Sequence, residues 1–154
     1  SLALQNINIA AFQHCSISIL QHFNHEKEVE NIAIVYQASD TIFGGGIMIH
    51  GKLYNGFSHA AGELRYLPFM EHAQNMKSDE LLKKQILSVA TVLNPEMIGY
   101  YSEINKEELH FEDISIPYSY RPSFIQMKDF DGYIVNGLYS IAIYNLIELT
   151  GGIK

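Results

Sequence analysis

The spacing of apolar residues changes several times along this chain, and each change predicts an element. Over residues 2 to 23 apolar positions recur every fourth residue, with Ile7, Ala11, Cys15 and Ile19 in line, which predicts a helix. The polar run His25 to Glu30 closes it as a solvated turn. Asn31 to Ala38 (NIAIVYQA) is rich in β-formers and reads as a buried strand. Two further apolar runs, Gly44 to Ile49 and Lys52 to Tyr54, flank His50-Gly51, which is the pattern of a hairpin with a two-residue turn. Helical spacing returns at Leu82, Ile86, Val89 and Leu93, with Ser78 expected as the N-cap and Asp79 and Glu80 in the first turn, where the dipole favours anions. Asn94-Pro95 ends that helix. Met97 to Tyr101 suits a strand, and shorter strands are expected at Asp113 to Ile116 and Phe124 to Met127. A last helix is expected from about Phe130 to Thr150, stopped by Gly151-Gly152. A strand and hairpin followed by alternating helix and strand predict an α/β domain: a mixed sheet with an antiparallel hairpin and helices packed on it.

Composition narrows the picture. The chain has 154 residues, enough for one domain with a real core, and shows no repeat or linker, so 1–154 is read as a single domain. Its first residue is Ser, which leads us to expect a piece of a longer protein. A formal charge of -7 with ten Lys and Arg argues against this segment gripping nucleic acid, because phosphate contacts need clustered cations. The single cysteine, Cys15, permits neither an internal disulfide nor a multi-cysteine zinc site, and fits a reducing, cytoplasmic setting. The most apolar stretch, Tyr133 to Leu149, contains Asn136, Asn145 and Glu148, and reads as a buried helix rather than a membrane span.

Several clusters admit two readings. Gly44 to Gly46 could cradle a phosphate or be a closely packed strand. His22 and His25, and likewise His59 and Glu63, have spacings that could bind a metal, or are surface residues. Cys15 reads as a buried small hydrophobe. Tyr118, Tyr120 and Arg121 sit in a Pro-bounded loop that is either a binding surface or packed.

The stretch GGGIMIHGKLYNGFSHAAGEL resembles the ROK family of bacterial sugar kinases and sugar-responsive repressors, which reads GxGAGxxxxGKLYxGxxGxAGEIGH here. Gly44, Gly46, Gly51, Lys52, Leu53, Tyr54, Gly56, Ala61, Gly62 and Glu63 match. LNPEMI (Leu93 to Ile98) resembles the family's LNPExI junction, DGYIVNGLYSIAI its closing helix, and QNINIAAF its ENDVNAAA helix start. The resemblance implies the second lobe of an actin-like, ribonuclease-H-like fold, with sugar and nucleotide held between two lobes. The first lobe would carry a DxGGT phosphate loop, which this chain lacks.

The departures from the family pattern point to lost chemistry. Phosphoryl transfer to a sugar needs a carboxylate near the acceptor hydroxyl, and the family supplies an Asp after an Asn. Here Asn6 is followed by Ile7, and losing such a base costs ~10²–10⁴ in rate. The family's GTGIG phosphate stretch falls on Asp40, Thr41, Ile42, Phe43 and Gly44, with Gly45 beside it, where charge and bulk replace glycine. Its later glycine turn, which makes room for adenosine, falls on Tyr101, Ser102 and Glu103. Its zinc motif (GEIGH, then CxCGxxGC) reads GELRY here, with Tyr66 in place of His and no cysteine following, so Leu67, Phe69 and Met70 are expected to pack instead.

Part of the sugar side is retained. Asn6 and Glu63 match family residues that contact sugar hydroxyls, and Tyr66, three residues after Glu63, is either a third sugar contact or a core or rim residue. Arg65 could pair with Glu63, take an anionic ligand, or face solvent. These residues suggest a sugar-sensing or dimerisation module of a ROK-type transcriptional regulator, without kinase activity, cofactor or metal. Its implied partners are a small sugar, a first lobe, a DNA-binding segment and a second copy of itself. The alternative is a divergent ATP-dependent sugar kinase.

Overall fold

The computed structural model describes residues 29–135 and Tyr139. The helix expected over residues 2 to 23, with Asn6, Ile7, Cys15, His22 and His25, lies outside them, as does most of the last helix; residues 130–135 are helical.

Strand β1 (Ile32–Gln37) is the centre of the fold. It pairs antiparallel with β2 (Phe43–Ile49) and parallel with β4 (Met97–Ser102). Strand β3 (Lys52–Leu53) extends β2, and β5 (Ser123–Gln126) runs parallel to β4, so the sheet order is β3-β2-β1-β4-β5. The mixed sheet with its antiparallel hairpin is the one the sequence predicts. Both faces of β1 are covered, which is why it reads as a continuous apolar run. Ala33 and Val35 join Leu82, Ile86 and Val89 of helix α1 (Ser78–Leu93) on one face. Ile32 and Ile34 join Met48, Met97, Met127 and Phe130 on the other. Each fully buried side chain of this size contributes roughly 1.5–3 kcal/mol of transfer free energy.

The turns follow their residues. His50 (φ 50°) and Gly51 (φ 71°) both take left-handed conformations, as a twisted two-residue hairpin requires. Helix α1 ends where Asn94 turns left-handed (φ 43°) and donates its N–H to the Ala90 carbonyl at 3.0 Å, ahead of Pro95. At the other end the prediction needs correcting. Ser78 is the first helical residue and Lys77 is the cap, with no side-chain capping bond. The Ser78 hydroxyl instead accepts from Gln37 Nε2 at 3.2 Å. Asp113 to Ile116 is not a strand either. The Arg121 side chain donates to the carbonyls of Phe111, Glu112, Ile114 and Ile116, so two of the stretch's four carbonyls are satisfied without a ladder. Leu67, Phe69 and Met70 pack against the α1-side core, as expected.

Three tertiary contacts set the geometry of the sheet ends. At the amino ends, Glu96 Oε2 accepts from the backbone N–H of Asn31 (2.8 Å), that of Glu30 (3.0 Å) and Asn31 Nδ2 (3.1 Å), clamping β1 to β4. At the carboxyl ends, the fully buried Gln37 accepts from Ser102 Oγ at 2.7 Å and donates to Ser78. Ser102 Oγ in turn accepts from the N–H groups of Ile104 (3.2 Å) and Asn105 (2.8 Å). Across β2, Gly62 (φ 90°) lies so close to Gly45 that a Cβ there would sit 2.1 Å from the Gly45 carbonyl oxygen. Among the described residues no helix is long and apolar enough to cross a membrane.

Three outcomes follow from these contacts. Gly62→Ala combines left-handed strain with a backbone clash, and is expected to destabilise the protein by about 2–5 kcal/mol in urea titration; a midpoint close to wild type would remove the close approach. Ser102→Ala leaves the Gln37 carbonyl and two loop amides without their partner, and should cost about 1–3 kcal/mol in the same measurement. The amide donors of Asn31, followed by that of Glu30, hold the Glu96 carboxyl below its ordinary value despite the opposing effect of burial. Its folded value is therefore the lower one. The stabilisation is present above the unfolded glutamate value and is lost as pH falls through the folded value. Glu96→Gln should flatten the acid limb of the stability profile, and an unchanged limb would count against the clamp.

Candidate functional site

In an open sheet with parallel strands, ligands enter beyond the carboxyl ends, where the connections diverge. Here that position lies between β1, which turns back into β2, and β4, which runs on towards β5. The sequence places an amide and a hydroxyl there, Gln37 and Ser102, and the fold closes them on each other. The turn Ser39–Ile42 is closed in the same way. Ser39 Oγ accepts from the N–H groups of Thr41 (3.3 Å) and Ile42 (3.2 Å), while the Ile42 carbonyl accepts from Ala38 (3.0 Å). The Thr41 and Ile42 amides are thereby engaged inside the loop. Asp40 and Thr41 are exposed on this turn. Phe43 is not: it lies in the core at 1% exposure, so the bulk attributed to it in the loop is absent.

Beyond the same strand ends, the start of α1 and residues 104–110 enclose a cleft of about 520 Å³. Asp79, Glu80, Glu107 and Glu108 line it, with Lys83 and His110. Lys83 Nζ is already held by the His110 carbonyl. On the opposite face of the sheet, Tyr36, Tyr101 and Phe130 stack, with Phe130 4.9 and 5.0 Å from the two tyrosines. Lys106 crosses the Tyr101 ring at 4.6 Å and donates to its hydroxyl at 3.2 Å. That hydroxyl, aided by Glu103, holds the Lys106 ammonium above its ordinary value. The three residues at the family's adenosine turn thus all carry side chains with partners in the fold.

The second candidate region is built by the glycine crossing. Gly45 on β2 leaves room for the backbone at Gly62, and Gly44 continues the same strand opposite Tyr36. Leu64 is then buried and its carbonyl accepts from the fully buried Gln85 Nε2 at 3.2 Å. Glu63 is pinned between these two anchors. Its Oε2 lies 3.2 Å from Arg65 Nε, with the side chains 18% and 27% exposed. The two atoms are not aligned as a hydrogen bond, so both are buried with an ion-pair contact alone. The Arg65 guanidinium lies 4.6 Å over the Tyr66 ring, and Tyr66 itself is 73% exposed. Glu63, Arg65 and Tyr66 therefore form one polar cluster. Asn6, the other expected sugar contact, lies outside the described residues. No group of three metal-ligating residues comes together among the described residues, and His59 is exposed.

Sequence reasoning missed the Gln37–Ser102–Ser78 network and Gln85. A signal existed for the first, since a lone Gln ends an otherwise apolar strand run. Gln85 sits on the buried stripe of α1, and only its partner on a distant segment explains it.

No family model and no curated protein matches the sequence. Solved structures do match. A ROK family protein from Streptococcus pneumoniae, in complex with sucrose, superposes with a TM-score of 0.53 at 16% identity, over 84% of this chain and 65% of that one. A ROK hexokinase from Thermus thermophilus gives 0.55 at 10% identity, over 86% and 65%. An inorganic polyphosphate/ATP-glucomannokinase from an Arthrobacter strain gives 0.55 at 13%, over 87% and 55%. This chain thus spans between 55% and 65% of the length of these structures. These superpositions show the fold alone: the chain has the fold of the ROK proteins, mixed α/β of the actin-like, ribonuclease-H-like class.

Proposed function

We propose that this chain is a sugar-sensing and dimerisation module of a ROK-type transcriptional regulator, and that it does not phosphorylate its ligand. The observation that carries this is the closed carboxyl end of β1. The amides of Thr41 and Ile42 are bonded to Ser39, and Gln37 is bonded to Ser102 and Ser78. A triphosphate needs free, convergent donors, because backbone amides and cations carry its charge. Here the Thr41, Ile42, Gln37 and Ser102 donors are engaged, and the adjoining cleft carries four carboxylates, Asp79, Glu80, Glu107 and Glu108, against Lys83. Repulsion from four carboxylates works against an anion at any register.

Glu63 supports the sugar half of this reading. It is held between two anchored residues and offers an acceptor oxygen suited to a polyol. Asn6 is assigned the matching role from its place in the family motif. Binding requires no catalytic base, so this half of the site works without the other. A sugar that binds one arrangement of the lobes better than the other shifts their equilibrium by its differential affinity, and a DNA-binding segment or a second copy reads that shift. Tyr54 and Phe57 are exposed within one short stretch, and are the apolar surface assigned here to a second copy. A reducing, cytoplasmic setting accords with this role.

The kinase reading has its own support in the names of the structures this fold matches, a hexokinase and a glucomannokinase. The two readings part on ATP. With the intact protein, calorimetry is expected to detect no binding of ATP with Mg²⁺, and no ADP release with any of a panel of hexoses. Sugar binding followed by tryptic protection should weaken about tenfold or more in Glu63→Ala, the loss of a hydrogen bond to a charged group. ATP binding with hexose-dependent ADP release would instead make the protein a kinase.

A further inference from the structure

The family motif ends GEIGH, and this chain writes it GELRY, so two large side chains stand where the pattern has a glycine and a histidine. The structure gives Arg65 an unusual environment for a replacement at a glycine. Its Nε is buried and without a hydrogen bond. Among the described residues its guanidinium meets two polar or ring partners, Glu63 at 3.2 Å and the face of Tyr66 at 4.6 Å. Stacking on a ring occupies the flat face of the guanidinium and leaves the edges, which carry its donors, free. The side chain is 27% exposed, so it is neither a solvated surface arginine nor a buried one with its donors satisfied. Arg121, by contrast, gives donors to four backbone carbonyls.

We infer that Arg65 is the anion-recognising residue of the sugar site, and that the ligand is an anionic sugar, carrying a carboxylate or a phosphate on its ring or chain. The inference rests on the sugar-sensing reading above and narrows its ligand class. Glu63 takes ligand hydroxyls through Oε1, its Oε2 being buried against Arg65 Nε, and Arg65 takes the anionic group through the fork of its two terminal nitrogens. The two are adjacent, so one small molecule spans both. A neutral sugar leaves that fork unused. Overall charge works against any anion, since the formal charge is -7, and a fixed local cation is therefore needed to select one. Glu63 also keeps Arg65 in place before the ligand arrives, which preorganises the fork. The acidic cleft at the start of α1 does not compete for the ligand, because its carboxylates repel it.

The test uses the intact protein and three probes in calorimetry: glucose, glucuronate and glucose 6-phosphate. At least one of the two anionic sugars is expected to bind roughly tenfold or more tighter than glucose, the scale of a charge-assisted hydrogen bond. Which one wins distinguishes a carboxylate ligand from a phosphate one. Arg65→Met should bring the anionic-to-neutral ratio to within about twofold, and Arg65→Lys should restore part of it. A second readout is salt: the anionic preference should shrink at high ionic strength, whereas glucose binding should not. Binding of glucose equal to or tighter than both anions, with a ratio indifferent to Arg65→Met, would overturn the anionic assignment and leave sugar sensing standing. If no sugar of either kind bound a protein with an intact thermal transition, both the assignment and the sensing role would fall.

Discussion

The approach of the backbone at Gly62 to the backbone at Gly45 is the constraint on which the candidate site depends. Two main chains come this close only when neither residue carries a side chain, and Gly62 must in addition turn left-handed. The contact brings the segment after the hairpin back across β2, a strand it does not pair with. Leu64 then reaches the core and Gln85 secures its carbonyl. Everything that Glu63 and Arg65 can do follows from being held between those fixed points. A polar pair on a free loop would sample many positions and lose affinity to ordering; here the ordering is supplied by the fold.

The same architecture handles its other end differently. The carboxyl ends of parallel strands present unpaired backbone groups and the start of a helix, which makes them receptive to anionic ligands. In this chain they are occupied from within. Gln37 reaches from β1 to both Ser102 and Ser78, and the β1–β2 turn closes on Ser39. Burial of the Gln37 amide costs nothing extra because both its donor and its acceptor sides are used. The consequence is an end whose Gln37, Ser102, Thr41 and Ile42 donors are bonded within the fold, bordered by carboxylates, with Asn105 Nδ2 left unpartnered among the described residues. This end of the sheet is a structural joint, and the Tyr36–Phe130–Tyr101 stack adds to it from the other face.

Much of this was legible in the residues. Periodicity located β1, the hairpin, α1, β4 and β5, because burial on one or two faces leaves a direct imprint on spacing. The glycines of the hairpin and crossing were visible as a motif, and their packing alternative was the one realised at Gly45. Two local expectations were overruled. Ser78 had the composition of a cap, but its hydroxyl is taken by Gln37, a partner 41 residues away. Asp113 to Ile116 had the composition of a strand, but Arg121 satisfies two of its carbonyls from outside. In both cases a long side chain competed with the local choice: across 41 residues at Ser78, beyond any window of sequence, and from only five to ten residues away at Arg121, where the signal was nearby but the side chain's direction was not legible.

By itself, then, the sequence determined the fold class, the run of elements over the described residues and the polar residues available for chemistry, since these depend on short-range spacing and residue type. Only the tertiary structure decided which polar groups remain available. It joined Gln37 to Ser102 across 65 residues and removed both from any ligand, and it set Arg65 against Glu63 and Tyr66 with its outer edge open. Hydrogen-bond capacity is a property of a residue, but whether that capacity is already satisfied depends on which distant segments packing brings within 3 Å or so of it.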